Sequence, residues 1–174
     1  MLSIIMPVKN TSRYLHACLD SIVHQTLTDW ELVAIDDHSN DNSRQILNSY
    51  ATNDGRIRVI TNKGDGVTSA LQTGYDNAVG NFITRMDSDD INEWHKYEYM
   101  LTQLQQYGEG HIALGQVKYF CEDGLGVGFQ NYERWINTLI ANGRCFEDVY
   151  KECVIPSPCW MMYRTDFDNT GGFN

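Results

Sequence analysis

The chain has 174 residues, 42% of them hydrophobic, which is enough for one globular domain with a sizeable core rather than a disordered segment. Thirteen Lys and Arg face 23 Asp and Glu, and a formal net charge of −10 without any basic cluster opposes binding to nucleic acid. The five cysteines lack disulfide-framework and zinc-site spacing, and no apolar run approaches the roughly 20 residues of a membrane-spanning helix. We therefore expect reduced thiols, a cytoplasmic location, no nucleic-acid partner and no transmembrane segment in this chain.

Apolar runs and helical stripes alternate along the first part of the chain. Strands are predicted over residues 2–6, 30–35, 57–60 and 81–84, each a short apolar run. Helical stripes follow the strands, with predicted N-caps at Thr11 or Ser12, at Ser39 or Asp41, and at Asn92. Because strands alternate with helices and are almost continuously apolar, we predict an α/β fold with a mostly parallel sheet and helices on both faces.

Beyond residue 108 the pattern is looser. A strand is predicted over residues 111–120, a flexible turn or hairpin at Gly124, Gly126 and Gly128, and a helix over residues 131–141. Two prolines, Pro156 and Pro158, break the chain before an apolar segment at residues 159–163. There is no internal repeat and no clear domain boundary, so we expect a single domain over residues 1–174.

Three polar clusters follow predicted strands. They are Pro7-Val8-Lys9-Asn10, Asp36-Asp37-His38-Ser39 and Asp87-Ser88-Asp89-Asp90. In open parallel sheets, ligands bind beyond the carboxyl ends of the strands. If the topology is as predicted, the three clusters converge on one rim and form one site.

The carboxylates of Asp87, Asp89 and Asp90 follow the fourth strand in quick succession. Carboxylates this dense repel one another unless a cation lies among them, and Mg²⁺ or Mn²⁺ takes oxygen ligands that it shares with substrate phosphates. We interpret the run as a metal site that holds a diphosphate, and the alternative is a solvated acidic turn. Arg85 is the best placed cation to face such a diphosphate, unless it is paired within the protein.

Asp36 and Asp37 close the second strand, where a carboxylate can accept hydrogen bonds from a ribose hydroxyl or a base N–H. The alternative is that one of them caps the following helix. His38 and His95 lie near the same rim, and exposed surface histidines are the simpler interpretation of both. The sequence lacks a phosphate-binding loop, a dinucleotide-binding glycine pattern after the first strand, and a Gly-x-Ser-x-Gly nucleophile elbow.

Four stretches of the chain together resemble glycosyltransferase family 2, the inverting group with the GT-A fold. They are residues 3–10 (SIIMPVKN), 25–32 (QTLTDWEL), 35–43 (IDDHSNDNS) and 80–90 (GNFITRMDSDD). Residues 158–164 (PCWMMYR) and 171–173 (GGF) resemble later, looser family segments. The resemblance implies a Rossmann-like GT-A sheet, with nucleotide-sugar donor binding over residues 1–108 and the start of an acceptor-binding part over residues 109–174.

The resemblance also implies the ligands and the roles of individual residues. The donor is a nucleotide-diphosphate sugar, for which we expect a UDP-sugar, and the cofactor is Mn²⁺ or Mg²⁺. By the family pattern, Pro7, Val8 and Lys9 line the base pocket, Asp37 meets the base with Asp36 beside it, Asp87 approaches the ribose or the metal, and Asp89 bridges the metal to the diphosphate. We also expect Arg85 and Ser88 among the nucleotide-sugar-binding residues.

The chain departs from the family pattern at several positions. Lys9 stands where Tyr is common, Leu71 and Gln72 stand where Arg-Asn is common, and His38 stands where Gly is frequent. Family members also continue to an acidic pair that supplies the general base for the acceptor hydroxyl. The resemblance therefore implies a catalytic base beyond Asn174 and a chain that transfers little or no sugar by itself.

The function that we expect is transfer of a sugar, with inversion, to a saccharide or lipid-linked acceptor in polysaccharide or glycoconjugate synthesis. Peripheral association with the inner face of the membrane is compatible with such an acceptor. One alternative is a nucleotidyltransferase, which normally shows a Gly-rich basic stretch after the first strand. The other is a non-catalytic module that binds nucleotide sugars.

Overall fold

The computed structural model describes residues 1–121 and 124–173, and residues 122, 123 and 174 lie outside the described part. The strands are β1 (Leu2–Val8), β2 (Trp30–Asp36), β3 (Ile57–Thr61), β4 (Phe82–Arg85), β5 (Ile112–Leu114) and β6 (Trp160–Tyr163). The helices are α1 (Ser12–Val23), α2 (Ser43–Asn53), α3 (Val67–Asn77), α4 (Lys96–Tyr107), α5 (Val127–Ala141) and α6 (Arg164–Asn169), with a short 3₁₀ turn at Cys145–Glu147. The residue expected beyond Asn174 as general base lies outside the described part.

The strands form one sheet in the order β3-β2-β1-β4-β6-β5. The first four strands are parallel, and Leu2 at the start of β1 lies opposite both Trp30 and Phe82. At the other side of β4, the short strand β6 runs antiparallel to both β4 and β5. The prediction of a mostly parallel sheet is therefore confirmed.

Helices cover both faces of the sheet because the central strands alternate two sets of apolar side chains. Leu2 and Ile4 of β1 pack in a cluster with α1, α2 and α4, whereas Ile5 packs in a second cluster with α3. Gly74 lets α3 approach the sheet closely, since a Cβ at this position would lie 2.6 Å from Cγ2 of Ile5. The prediction of helices on both faces is confirmed.

Strand β1 continues through Pro7 to Val8, where the sequence predicted a stop at residue 6. Proline lacks the N–H that a ladder needs, so it is tolerated only where no neighbour requires that group. On the β4 side the pairing ends at Ile5, which lies opposite Arg85, so β4 ends before it reaches Pro7. On the β2 side the pairing continues to Val8 and Asp36.

The predicted strand over residues 111–120 is wrong beyond Leu114. The Gly115 N–H still donates to the Cys159 carbonyl at 2.7 Å, and the residues after it form hydrogen bonds with side chains of α5. The Val117 N–H donates to Oδ1 of Asn137 at 2.9 Å, Nδ2 of Asn137 donates back to the Val117 carbonyl at 2.7 Å, and the Tyr119 N–H donates to Glu133. The helical partner begins at Val127, so the helix is longer than predicted and the predicted turn or hairpin is wrong at Gly128. Gly126 directly precedes the helix, and the Gly124 N–H donates to the Cys121 carbonyl at 3.1 Å.

Two of the three predicted helix caps are wrong. Helix α2 is preceded by Asn42 rather than Ser39 or Asp41, and α4 by His95 rather than Asn92. The Asp41 carboxylate instead accepts hydrogen bonds from the Ser12 N–H at 3.0 Å and the Ser43 N–H at 2.9 Å, so one side chain serves the first turns of two helices. Thr11 precedes α1, as predicted.

No disulfide joins the cysteines of the described part, and the helices are short. Cys18, Cys121, Cys145, Cys153 and Cys159 all carry free thiols. Within residues 1–121 and 124–173, none of the helices combines the length and the apolar character that crossing a membrane requires.

A buried carboxylate joins strands at the edge of the sheet opposite the polar clusters. Glu31 accepts hydrogen bonds from the Ser3 hydroxyl, from the Val79 N–H and from Nη2 of Arg58, each at 2.6 Å. Burial by itself raises the pKa of Glu31, but these hydrogen bonds and the Arg58 charge outweigh it and lower the pKa. The ionised form is therefore the one that the fold stabilises.

We expect Glu31→Gln to lower the free energy of unfolding by about 1–3 kcal/mol at neutral pH, because an amide nitrogen would face donors that now meet a carboxylate oxygen. The carboxylate contributes stability above its unfolded-state pKa of about 4.3 and loses it as the pH falls through the lower folded-state value. Urea unfolding from pH 7 to pH 3 should therefore show the two proteins converge in acid. The exposed control Glu93→Gln should change stability by less than about 0.5 kcal/mol. A difference that persists unchanged to pH 3 would contradict this account.

Candidate functional site

A pocket lies beyond the carboxyl ends of the central strands β1, β2 and β4. It is lined by Pro7, Val8, Lys9, Thr11, Asp37, Gly66, Val67, Arg85, Asp87, Ser88 and Asp89. The end of each of these strands contributes to this lining because parallel strands finish at the same edge of the sheet. The polar clusters that the sequence identified therefore meet in space.

Eight of the nine predicted site residues line this pocket, and their roles toward a ligand stay predictions. Asp36 is the ninth, and it does not line the pocket. Its carboxylate accepts a hydrogen bond from the Ser39 N–H at 3.2 Å and pairs with Nη1 of Arg44 at 3.4 Å. Asp36 thus holds the turn that follows β2.

Asp37 is a buried carboxylate with partners on three sides. Nζ of Lys9 donates to Oδ2 at 3.0 Å, Nδ2 of Asn62 donates to Oδ1 at 2.6 Å, and the Gly66 N–H reaches both oxygens at 3.1 and 3.2 Å. Burial raises the pKa of Asp37, but the hydrogen bonds from Asn62, Lys9 and Gly66 lower it further than burial raises it. The group is therefore ionised, and it ties together the ends of β1, β2 and β3.

The three carboxylates of the acidic run have different surroundings. Asp87 pairs through Oδ1 with Nε of Arg85 at 2.7 Å. Asp90 is half-buried, and burial together with the charges of Asp87 and Asp89 raises its pKa to about 6. Asp89 is exposed at the pocket and accepts no hydrogen bond from any residue in the described ranges.

Buried polar contacts hold the acidic run from behind. Nζ of Lys96 donates to Oδ1 of Asn92 at 2.7 Å and to the Pro158 carbonyl at 2.6 Å, and burial lowers the pKa of this lysine. The amide of Asn92 donates in turn to the Tyr97 hydroxyl at 2.7 Å. The loop after Asp90 is thus joined to the segment that enters β6.

Sequence reasoning missed Thr11, Asn62, Gly66 and Val67. Asn62 directly follows β3, so the rule that selected the other strand ends would have found it. Gly66 has φ 86°, which only glycine adopts readily, and it places its N–H against Asp37. No pattern in the sequence distinguishes Thr11 or Val67 from ordinary residues near a helix start.

Two groups of side chains offer carboxylates to a divalent cation. Atoms of Asp37, His38 and Asp65 lie within 4.8 Å of one another, but the Asp37 oxygens already meet an ammonium, an amide and a backbone N–H. Nε2 of His38 is also 3.0 Å from the Gly64 carbonyl, so this nitrogen acts as a donor. Asp89 and the second oxygen of Asp87 also adjoin the pocket, and no residue of the described ranges donates a hydrogen bond to either of them.

Comparisons with known sequences agree on one family. The glycosyl transferase family 2 model matches residues 3–171. The glycosyltransferase GlyA of Streptococcus pneumoniae serotype 4 is 32% identical over 151 residues, which cover 86% of this chain and 22% of that protein. The glycosyltransferase GlyG of the same strain is 37% identical over 126 residues, 71% of this chain and 42% of that protein. The chain therefore spans less than half the length of these relatives.

Two solved structures share the fold. The structure of S. aureus TarS 1–349 in complex with UDP-GlcNAc matches with a TM-score of 0.70 at 19% identity, over 98% of this chain and 47% of that one. The mannosyltransferase PcManGT from Pyrobaculum calidifontis, in complex with GDP-Man and Mn²⁺, matches with a TM-score of 0.71 at 17% identity, over 99% and 47%. These likenesses show that the chain has the fold of such transferases.

We expect Asn62→Asp to destabilise the protein by about 3 kcal/mol at neutral pH, because it places a second buried carboxylate against Asp37. The penalty should shrink in acid, where protonation of either carboxyl relieves the repulsion. Urea unfolding at pH 7 and pH 4 measures both effects. The matched change Asn48→Asp on the exposed face of α2 should alter stability by less than about 0.5 kcal/mol. Equal effects at the two positions would show that Asp37 is not the buried anion described above.

Proposed function

Because this chain belongs to glycosyl transferase family 2, we propose that it binds a nucleotide-diphosphate sugar for inverting transfer of the sugar to an acceptor hydroxyl. Its relatives are glycosyltransferases and its sheet is of the GT-A type. The proposal rests on one observation, that the buried Asp37 and the residues of the acidic run line the same pocket. Family membership favours sugar transfer over nucleotidyl transfer. No contact among the described residues points to nucleotidyl transfer.

The base of the nucleotide is proposed to lie on the β2 side of the pocket. Pro7 and Val8 supply apolar surface there, and Lys9 and Asp37 supply a polar edge. Asp37 is ionised and its oxygens are engaged by three donors, so it fixes Lys9 and Gly66 at this edge, and a base N–H that meets Asp37 would replace one of these donors. Asp36 acts in this proposal by fixing the neighbouring turn through Arg44.

The diphosphate is proposed to lie on the β4 side, near Arg85, Ser88 and the acidic run. Asp89 and the second oxygen of Asp87 would hold Mn²⁺ or Mg²⁺ between the protein and the phosphates. When bound, the cation supplies a Lewis acid that stabilises the negative charge of the departing diphosphate. Arg85 adds a fixed positive charge at the same edge, and its Asp87 partner keeps that guanidinium in place.

We propose a UDP-sugar as donor and a saccharide or lipid-linked group as acceptor. The structural neighbours include one bound to UDP-GlcNAc and one bound to GDP-Man, and a chondroitin synthase of Escherichia coli is 35% identical over 106 residues. That alignment covers 61% of this chain and 16% of the synthase. Residues 1–108 would then bind the donor, and residues 109–174 would begin the acceptor side, since β5 and β6 extend the same rim beyond Asp89.

A cytoplasmic location completes the proposal, with peripheral contact to the inner face of the membrane where an acceptor is lipid-linked. Five free thiols in one short chain support a reducing compartment.

We expect Asp89→Asn to weaken Mn²⁺-dependent binding of UDP at least about tenfold, because it removes a metal ligand. Isothermal titration calorimetry with UDP, in Mn²⁺ and in EDTA, measures the metal-dependent part. Asp89 is exposed, so the thermal unfolding midpoint without ligand should not change.

Asp65→Asn is the matched control, since Asp65 is an exposed carboxylate of the rival group around His38. It should bind UDP and Mn²⁺ as the wild type does. If Asp65→Asn lost the metal dependence and Asp89→Asn kept it, the cation would belong to the rival group and the proposed arrangement would be wrong.

A further inference from the structure

Four buried side-chain atoms have no hydrogen-bond partner among the residues that the structure describes. They are Oγ1 of Thr11, Oγ1 of Thr26, Nε1 of Trp30 and Nη2 of Arg164. A buried polar group without a partner destabilises the folded state, so each one calls for an explanation. Of the four residues, Thr11 alone lines the pocket at the strand ends.

The backbone of Thr11 is fully engaged, whereas its hydroxyl is not. The Thr11 N–H donates to Oγ of Ser43 at 3.0 Å, and the Thr11 carbonyl accepts from the N–H groups of Tyr14 and Leu15 at 2.9 and 3.0 Å. A threonine before a helix usually accepts a hydrogen bond from the first turn through its side chain. Thr11 forms no such bond, and the Ser12 N–H donates to Asp41 instead.

Thr11 also occupies the middle of the pocket. It follows β1, which lies between β2 and β4 in the sheet. Asp37 belongs to the β2 side, and Asp89 belongs to the β4 side. A nucleotide that reaches from one to the other must cross the turn between β1 and α1, and the part of the nucleotide at that point is the ribose with its attached phosphate.

We infer that the Thr11 hydroxyl helps to bind the nucleotide sugar by forming a hydrogen bond with the ribose-phosphate part of the nucleotide. This inference rests on the proposed function and adds a residue to it. Thr11 is half-buried and lines the pocket, and a threonine hydroxyl moves between staggered positions by rotation about χ1. The rotation breaks no protein hydrogen bond, because Oγ1 has none to lose within the described ranges.

The test compares Thr11→Val, which keeps the shape and removes the hydroxyl, with Thr11→Ser, which keeps the hydroxyl. Thr26→Val is the matched control, because Thr26 is equally half-buried, has an unpartnered Oγ1 and does not line the pocket. Calorimetry measures UDP binding in the presence of Mn²⁺, and thermal unfolding without ligand measures stability.

We expect Thr11→Val to weaken UDP binding by about three- to tenfold, the effect of one lost hydrogen bond. We expect its unfolding midpoint without ligand to stay the same or rise, because the substitution removes an unsatisfied buried group. Thr11→Ser should restore most of the affinity, and Thr26→Val should leave affinity unchanged. A residue with a merely structural role would not weaken binding while leaving stability intact.

Competition by uridine and by UMP identifies the contacted group. Weaker competition by both ligands in Thr11→Val assigns the hydroxyl to the ribose, and weaker competition by UMP alone assigns it to the phosphate. Affinity equal to the wild type, or an equal loss in Thr26→Val, overturns the inference while the proposed function stands. A wild-type protein that fails to bind UDP with Mn²⁺ overturns the proposed function itself, and the inference with it.

Discussion

The contact of the Asp37 carboxylate with Lys9, Asn62 and Gly66 sets the geometry of the pocket edge at the end of β2. A carboxylate that is 3% exposed stays charged only when donors replace the water that it has lost. The three donors come from the turn after β1 and from the loop between β3 and α3, so satisfying one charge aligns these two segments with the end of β2. The pocket edge is therefore formed before any ligand arrives, and a ligand meets groups whose orientation is already set.

The acidic run handles its charge in a different way, by giving each carboxylate its own surroundings. Arg85 neutralises Asp87 at the end of β4, and the buried ammonium of Lys96 lies behind the loop that contains Asp90. Asp89 is left exposed, without a cation from the described residues beside it. The exposed Asp89 thus leaves a negative charge at this point of the rim, to which a divalent ion would be attracted.

Much of this arrangement was predictable, because the physical signals are local. Short, nearly continuous apolar runs identify buried parallel strands, and the topology then brings the polar residues after them together. The predictions were wrong where a tertiary contact competes with a local preference. Asn92 has the residue type of a helix cap but donates its amide to the Tyr97 hydroxyl, and Asp41 bonds to the first residues of both α1 and α2 without occupying the cap position. Asp36 and Asp37 are identical in type and adjacent in sequence, so nothing local reveals that one is turned from the pocket and the other lines it.

Residues 117–119 are held by contacts unlike those within the sheet. Their backbone is bonded to the side chains of Asn137 and Glu133 on α5, and no strand of the described part pairs with them. A hydrogen bond to a side chain can break when that one side chain changes its rotamer, whereas the hydrogen bonds between paired strands break cooperatively. We therefore expect these residues to open in small independent fluctuations, and their amide protons to exchange well before those of the central strands. The protein thus combines a cooperatively bonded sheet with a neighbouring segment that single side chains hold in place.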